Sequence, residues 1–260
     1  MTTPNLKIQP VTVPPEPPQP IKAQSKLIRT VLQPALGLWL RSQTESLGSL
    51  EVEIEGGDRQ LISGQIPALQ VVASQVVYQG LHLSRLRLVG GEIRMNLGRA
   101  VRGKPLRLLE PVRVRAELLL RSKDLNASLG AARLAPSLEA GLAALADWLQ
   151  QAGPAEVRQA SIQAPQIEFL GQTLRLQAQW CEAERPAQGL AIAAQLTLDP
   201  NQNVLSLTQP HWLEPPPSHL CANLEDLPLL RLDLGKEVVF ESLAIEPEGL
   251  SCRGIITIHP

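Results

Sequence analysis

The sequence predicts an α+β fold: a long curved antiparallel β-sheet wrapped around amphipathic helices. Three observations predict it. Apolar–polar alternation fills most of the chain, as in strands with one covered face. Two helical segments with apolar stripes stand one before the strands and one between two blocks of them. Turn residues join consecutive strands, and no strand–helix–strand rhythm appears, so nothing points to a parallel sheet.

The first 21 residues hold seven prolines (Pro4, Pro10, Pro14, Pro15, Pro17, Pro18 and Pro20) and no continuous apolar run. Proline removes backbone donors and favours extended chain. Residues 1–21 therefore read as a flexible tail, which can also carry a motif for a protein partner, and residues 22–260 as one α+β domain. The 260 residues are 44% apolar, enough to bury a sizeable core.

Residues 22–47 read as a helix. Leu27, Ile28, Val31, Leu32, Ala35, Leu36, Trp39 and Leu40 recur at three- and four-residue spacing. Pro34 is expected to kink it. Lys22, Lys26, Arg29 and Arg41 give it a basic edge, so it suits a membrane surface or, the preferred reading, a sheet that covers its stripe. Strands follow at 50–56, at 59–66 and in "LQVVASQVVYQG" and "LHLSRLRLVGGEIRMNLG". In the last, Leu81 and Leu83 share one parity while Leu86 and Leu88 share the other. A β-bulge near Ser84–Arg85 produces that slip and bends the strand.

"VRVRAELLLR" (112–121) alternates cleanly, with Val112, Val114, Ala116, Leu118 and Leu120 on one face and Arg113, Arg115, Glu117, Leu119 and Arg121 on the other. Ser122 is placed to cap a short helix, with Asp124 in its first turn. After Pro136, Leu138, Leu142, Leu145, Trp148 and Leu149 form the stripe of a second long helix (137–151), closed by Gly153-Pro154. Strands resume with "EVRQASIQAPQIEFL", "TLRLQAQW" and "LAIAAQLTL". "DPNQN" (199–203) is a turn, 211–228 a loop, and the chain closes with two strands around Pro247-Glu248-Gly249.

Net charge is −1, but the charges are unevenly spread. Residues 85–123 hold eleven cations against three acids, and residues 182–248 hold eleven acids against three cations. If the two halves occupy different ends, the molecule is a dipole that an anionic surface would orient. Nucleic acid is excluded: single-strand binders interleave cations with stacking aromatics, and this basic region has none. Phospholipid headgroups suit it better, and a solvated face partly paired with acids is the alternative.

Catalysis is not expected. There is no Gly-x-Ser-x-Gly elbow, no P-loop and no Gly-x-Gly-x-x-Gly after a strand. Cys181, Cys221 and Cys252 form no C-x-x-C pair, and His82, His211, His219 and His259 are not spaced with them for zinc. No metal, cofactor or disulfide is expected, and no run of ~18 apolar residues spans a membrane as a helix.

The segments "YQGLHLS" (78–84), "EIRMN" (92–96), "PVRVRAELLLRSKDLNASL" (111–129) and "GLSCRGIITIHP" (249–260) resemble the LmeA-like phospholipid-binding family in its cyanobacterial type, once a domain of unknown function. The likeness covers roughly residues 48–135, with a weaker echo to 260. It implies a lipid binder with long curved strands around a helix, in the manner of tubular lipid-binding domains, and no catalytic residues. Actinobacterial members look exported. This N-terminus lacks a secretory pattern, so a cytoplasmic protein, peripheral on the cytosolic side of a membrane, is expected.

The reading commits to a non-catalytic phospholipid-binding protein at an anionic membrane surface. Arg85, Arg87, Arg94, Arg113 and Arg115 would meet headgroups, since a guanidinium fork can bond two phosphate oxygens. Trp39, Val114, Leu142 and Trp148 would line an apolar acyl groove. The alternative is a protein-interaction or assembly factor that uses the proline-rich tail and the acidic C-terminal half.

Overall fold

A computed structural model describes residues 30, 32–97, 106–131, 136–151, 153, 160–183, 185–217, 220, 223–233 and 238–260. The proline-rich tail, the first part of the 22–47 helix, Cys221 and His219 lie outside the described residues.

In chain order the elements are α1 (Gln33–Ser42), β1 (Leu50–Glu55), α2 (Asp58–Ile62), β2 (Gln65–Tyr78), β3 (Leu81–Arg94) and β4 (Val112–Leu120). Then come α3 (Ser122–Leu129), α4 (Pro136–Gln150), β5 (Ala160–Leu170), β6 (Thr173–Glu182), β7 (Arg185–Asp199) and β8 (Val204–Trp212). The last are β9 (Leu230–Asp233), β10 (Val238–Glu246) and β11 (Gly249–Ile258). All the strand pairings among the described residues are antiparallel, so the predicted class holds. Alternation alone did not separate the strands into sheets. They form two, a six-stranded sheet ordered β1-β2-β3-β4-β11-β10 and a five-stranded sheet ordered β5-β6-β7-β8-β9. The six-stranded sheet curls into a half-barrel.

Residues in left-handed conformation interrupt the long strands. The parity slip predicted at Ser84–Arg85 is present: Leu83 is buried and Leu86 packs against the same cluster. The left-handed residue, however, is Gln75 (φ 51°), which faces Ser84 from β2. Pairing resumes in the same register on either side (Ser74 with Arg85, Val76 with Leu83). Both strands therefore shift phase at one level, which bends the sheet without misaligning it. Ala164 (φ 46°) in β5 and Gln209 (φ 51°) in β8 sit at register shifts of the other sheet.

Two local expectations are corrected, and the one at Pro34 is met. The 59–66 strand begins as α2, which buries Leu61, and extended chain starts at Gln65. Pro34 stands where π-helical chain at Thr30 and Leu32 gives way to α1, so the regular helix is interrupted beside the proline, as expected. Ser122 does not cap α3. The Asp124 carboxylate does, accepting the Arg121 N–H at 2.9 Å, and it also accepts the Ser84 hydroxyl. Ser122 Oγ instead accepts the Phe169 N–H of β5 at 2.9 Å.

That bond is part of a joint between the sheets. From α3, Asn126 Nδ2 donates to the Ile167 carbonyl at 3.0 Å, and its Oδ1 accepts the Ile167 N–H at 2.7 Å. The amide thus acts as one more rung on the edge of β5. Leu125 packs with Leu83 and Leu120 on one side and Ile167 and Phe169 on the other. Ser128, fully buried, donates to the Asp124 carbonyl and accepts the His82 N–H, both at 2.8 Å. A second joint uses Asn203, in the turn between β7 and β8: Nδ2 donates to Val238 O at 2.7 Å and Oδ1 accepts Phe240 N–H at 3.0 Å.

Candidate functional site

The inner face of the half-barrel is apolar because each strand keeps its apolar positions inward, β2 and β3 by shifting phase together at Gln75 and Ser84. The antiparallel register aligns Val71, Leu88, Ala116 and Gly254 in one row across β2, β3, β4 and β11, and Leu69, Gly90, Val114 and Ile256 in the next. α1 lies over β1 and turns Leu36, Trp39 and Leu40 toward these rows. Between helix and sheet is a hollow of about 50 Å³, lined by those three residues and by Leu69, Val71, Leu88, Gly90, Ile93, Met95, Leu108, Val112, Val114 and Ile258. No lining side chain is charged, and the indole N–H of Trp39 is the one strong hydrogen-bonding group among them. The space holds roughly three or four water-sized groups.

Gly90 belongs to this hollow for a physical reason. A Cβ built there would stand 3.4 Å from a Val114 methyl and 3.5 Å from Ile93, which is close but feasible packing. Its missing side chain leaves space that β3 could otherwise fill. At Gly254 the same atom would lie 2.5 Å from the Val239 carbonyl, so that glycine answers a tight backbone approach.

Of the four predicted groove residues, Trp39 and Val114 meet in this hollow. Trp148 lies elsewhere, with Leu149, Trp180, Leu190 and Leu224 in the core beneath α4 on the five-stranded sheet. Its indole N–H donates to the Pro228 carbonyl at 2.6 Å. Leu142, half-buried, is on the same helix. The stripes of the two helices thus serve different sheets, apart from Leu138 at the start of α4, which packs with Leu83 and Leu125. Among the lining residues that sequence reasoning missed are Leu36, Gly90, Leu108 and Ile258. Leu36 stood in the helical stripe, but nothing in the chain marked it off from its neighbours.

The predicted headgroup arginines are exposed on the outer face of the same sheet. Arg87 and Arg253 flank Glu117, at 3.5 and 3.3 Å. Arg87 also donates to Gln70 Oε1 at 2.9 Å, and Gln70 Nε2 donates to Glu53 at 3.3 Å. This polar ladder crosses β1, β2, β3, β4 and β11. Arg94 pairs with Glu110 at 3.3 Å, and Arg115 with Glu241 at 3.7 Å. Arg85 and Arg113 have no acidic partner among the described residues. Exposed pairs of this kind contribute about 0–1 kcal/mol, so they compete weakly with a phosphate.

The expected charge dipole is weaker than the sequence suggests. β10 and β11 return to the basic sheet, and Glu241 and Glu248 come with them to pair with Arg115 and Arg121. Distance along the chain is therefore a poor guide to separation in space.

Cys252 faces inward from β11, and burial pushes its thiol up to about 12. It stays protonated and inert near neutral pH. Among the described residues no three His, Cys, Asp or Glu side chains group to hold a metal ion. No described helix is long and apolar enough to cross a membrane.

The sequence matches the family described as LmeA-like phospholipid-binding over residues 23–255. The chain belongs to the LmeA-like phospholipid-binding family. The LmeA-like match runs well beyond the stretch of about 48–135 on which the resemblance was strongest, and takes in the described helices and the strands of both sheets as far as Ile255. No curated protein and no solved structure matches the chain.

Proposed function

We propose that this LmeA-like protein is a non-catalytic phospholipid binder that works at an anionic membrane surface, holding acyl chain in the hollow beneath α1. The hollow carries the proposal. It combines an uncharged apolar lining, a glycine where a side chain would fit, and a ten-residue helix as its cover. Each buried methylene is worth about 0.8 kcal/mol. An uncharged lining with a single indole donor rewards a hydrocarbon tail over a polar group.

The hollow is small, so a tail enters as α1 gives way. The helix makes its main contacts with one strand. It packs on β1, Gln33 Nε2 donates to Val52 O at 2.8 Å, and the opposite wall belongs to β3, β4 and β11. Arg85 and Arg113, with Arg87, Arg94 and Arg115 released from their weak pairs, would answer the headgroup charge. Each cation near an anionic leaflet contributes roughly 1 kcal/mol, which salt screens. The described cysteines are unpaired, which suits a reducing compartment and a place on the cytosolic side of the membrane.

Native mass spectrometry of freshly purified protein tests this. A phospholipid retained in near-stoichiometric amount is the expected result, with vesicle flotation that requires anionic lipid and weakens with salt. Protein that carries no lipid and takes none up would end the proposal.

A further inference from the structure

Two large apolar side chains project into solvent at one end of the half-barrel. Ile62, at the end of α2, is 67% exposed, and Leu109 is 58% exposed. Each directly follows a buried residue, Leu61 and Leu108, and Leu108 lines the hollow. The two positions are linked through the backbone. Met95 N–H donates to Gly64 O at 2.9 Å, Met95 bridges Leu108, and Leu109 N–H donates to Arg94 O at 2.9 Å. Gly64 and Leu108 are thus two strand spacings apart, on the order of 10 Å. This is the end of β3 and β4 opposite the one where α3 joins the five-stranded sheet.

The charges here are mixed. Around Leu109 stand Arg94, Arg107 and Arg113 against Glu110, and Glu110 is closed onto Arg94. Arg107 and Arg113 are exposed and have no acidic partner among the described residues. Around Ile62 stand Asp58 and Arg59, and Glu55 and Glu92 lie at the same end. Cations therefore lead at Leu109 and not at Ile62.

We propose that Ile62 and the Arg107–Leu109 turn form a docking rim that inserts into an anionic phospholipid leaflet at the mouth of the hollow. This rests on the tail-binding reading above and adds where the membrane is met. Two separate aliphatic side chains fall far short of the roughly 800 Å² per partner that a stable protein interface buries. A fluid leaflet has no such requirement, because it takes each side chain singly. Leu108 places the hollow directly behind the rim, so a tail passes from leaflet to hollow without crossing water. Arg107 and Arg113 hold the Leu109 side against phosphate.

The test is flotation with vesicles of phosphatidylcholine and phosphatidylglycerol, set beside uptake of a short-chain phospholipid from solution. Leu109→Asp and Ile62→Asp place a charge where the side chain already meets water, so the fold should survive. Each should lower vesicle binding at least tenfold and leave short-chain uptake unchanged. Leu229→Asp, at a 53% exposed leucine beside the five-stranded sheet, should change neither. Arg107→Ala combined with Arg113→Ala should weaken binding several-fold on anionic vesicles and not on neutral ones.

Rim variants that float like the parent would overturn the docking rim and leave tail binding standing. Rim variants that lose short-chain uptake as well would also overturn it, because the damage would then lie in the hollow. A parent protein that neither floats nor takes up lipid would remove the tail-binding reading, and the rim with it.

Discussion

Asn126 and Ile167 are joined by two hydrogen bonds, Nδ2 to the carbonyl at 3.0 Å and the N–H to Oδ1 at 2.7 Å, so that a side chain of α3 continues the ladder of β5. The edge of a sheet is a row of unpaired donors and acceptors. Here one amide closes a rung of it and ties the two sheets together.

Asn126→Ala removes both bonds and leaves a partly buried N–H and C=O of Ile167 without partners. The expected cost is about 2–3 kcal/mol, read from the midpoint of urea unfolding. Asn126→Asp should not restore stability. It keeps an acceptor for the N–H but sets a carboxylate oxygen against the carbonyl. An Asp variant as stable as the parent would show that packing of Leu125, not the amide, makes the joint.

Glu117 stands between Arg87 and Arg253 on the outer face. Arg87 and Arg253 are exposed and Glu117 is only half-buried, so Glu117→Gln should alter stability by no more than about 1 kcal/mol. It frees two guanidinium groups and removes one acid. Binding to anionic vesicles should therefore rise several-fold at low salt, and the gain should disappear at high salt. Unchanged binding in cosedimentation would mean that this face does not meet the membrane.

The Cys252 thiol is pushed from 9.0 up to about 12 by burial. Below pH 9 both folded and unfolded chains keep the proton, and the cysteine adds no pH dependence. Between pH 9 and 12 the unfolded chain has lost the proton while the folded one retains it, so stability falls as pH rises. The slope is about 1.4 kcal/mol per pH unit. Cys252→Ala should remove that slope and carry a constant packing cost instead. Comparing the two proteins in urea at pH 8 and at alkaline pH isolates the effect, since other alkaline titrations are common to both.

The class of fold was legible because it rests on period-two alternation. Val112, Val114 and Ala116 are buried and Arg113 and Arg115 exposed, as the pattern required. The parity slip in β3 was also legible, because Leu83 and Leu86 lie three apart in the sequence. Its cause was not, since the left-handed residue is Gln75 on the neighbouring strand. Local sequence could not separate the stripe of Trp39 from that of Trp148, because both read as helix against sheet. Which sheet each one meets depends on how α3 divides the strands. Ion pairing was hidden for the same reason: Arg115 and Glu241 are far apart in the chain and meet only because β11 and β10 return beside β4.

Gly90 permits a test in which stability and binding move in opposite directions. A glycine inside a strand weakens it, by roughly 0.5–1 kcal/mol relative to alanine, and the space beside this one is lined by Val114 and Ile93. Gly90→Ala should therefore keep the fold or stabilise it by up to about 1 kcal/mol. Gly90→Leu should extend into the hollow and occupy the volume reserved for hydrocarbon. Its stability should stay near that of the parent, since the new atoms meet apolar walls, while phospholipid recovered by native mass spectrometry should fall at least tenfold. If the alanine and leucine variants both keep a full load of lipid, the acyl chain is held somewhere other than beneath α1. If the leucine variant unfolds while the alanine variant is stabilised and carries less lipid than the parent, the hollow is still the site, and the leucine has simply overfilled it.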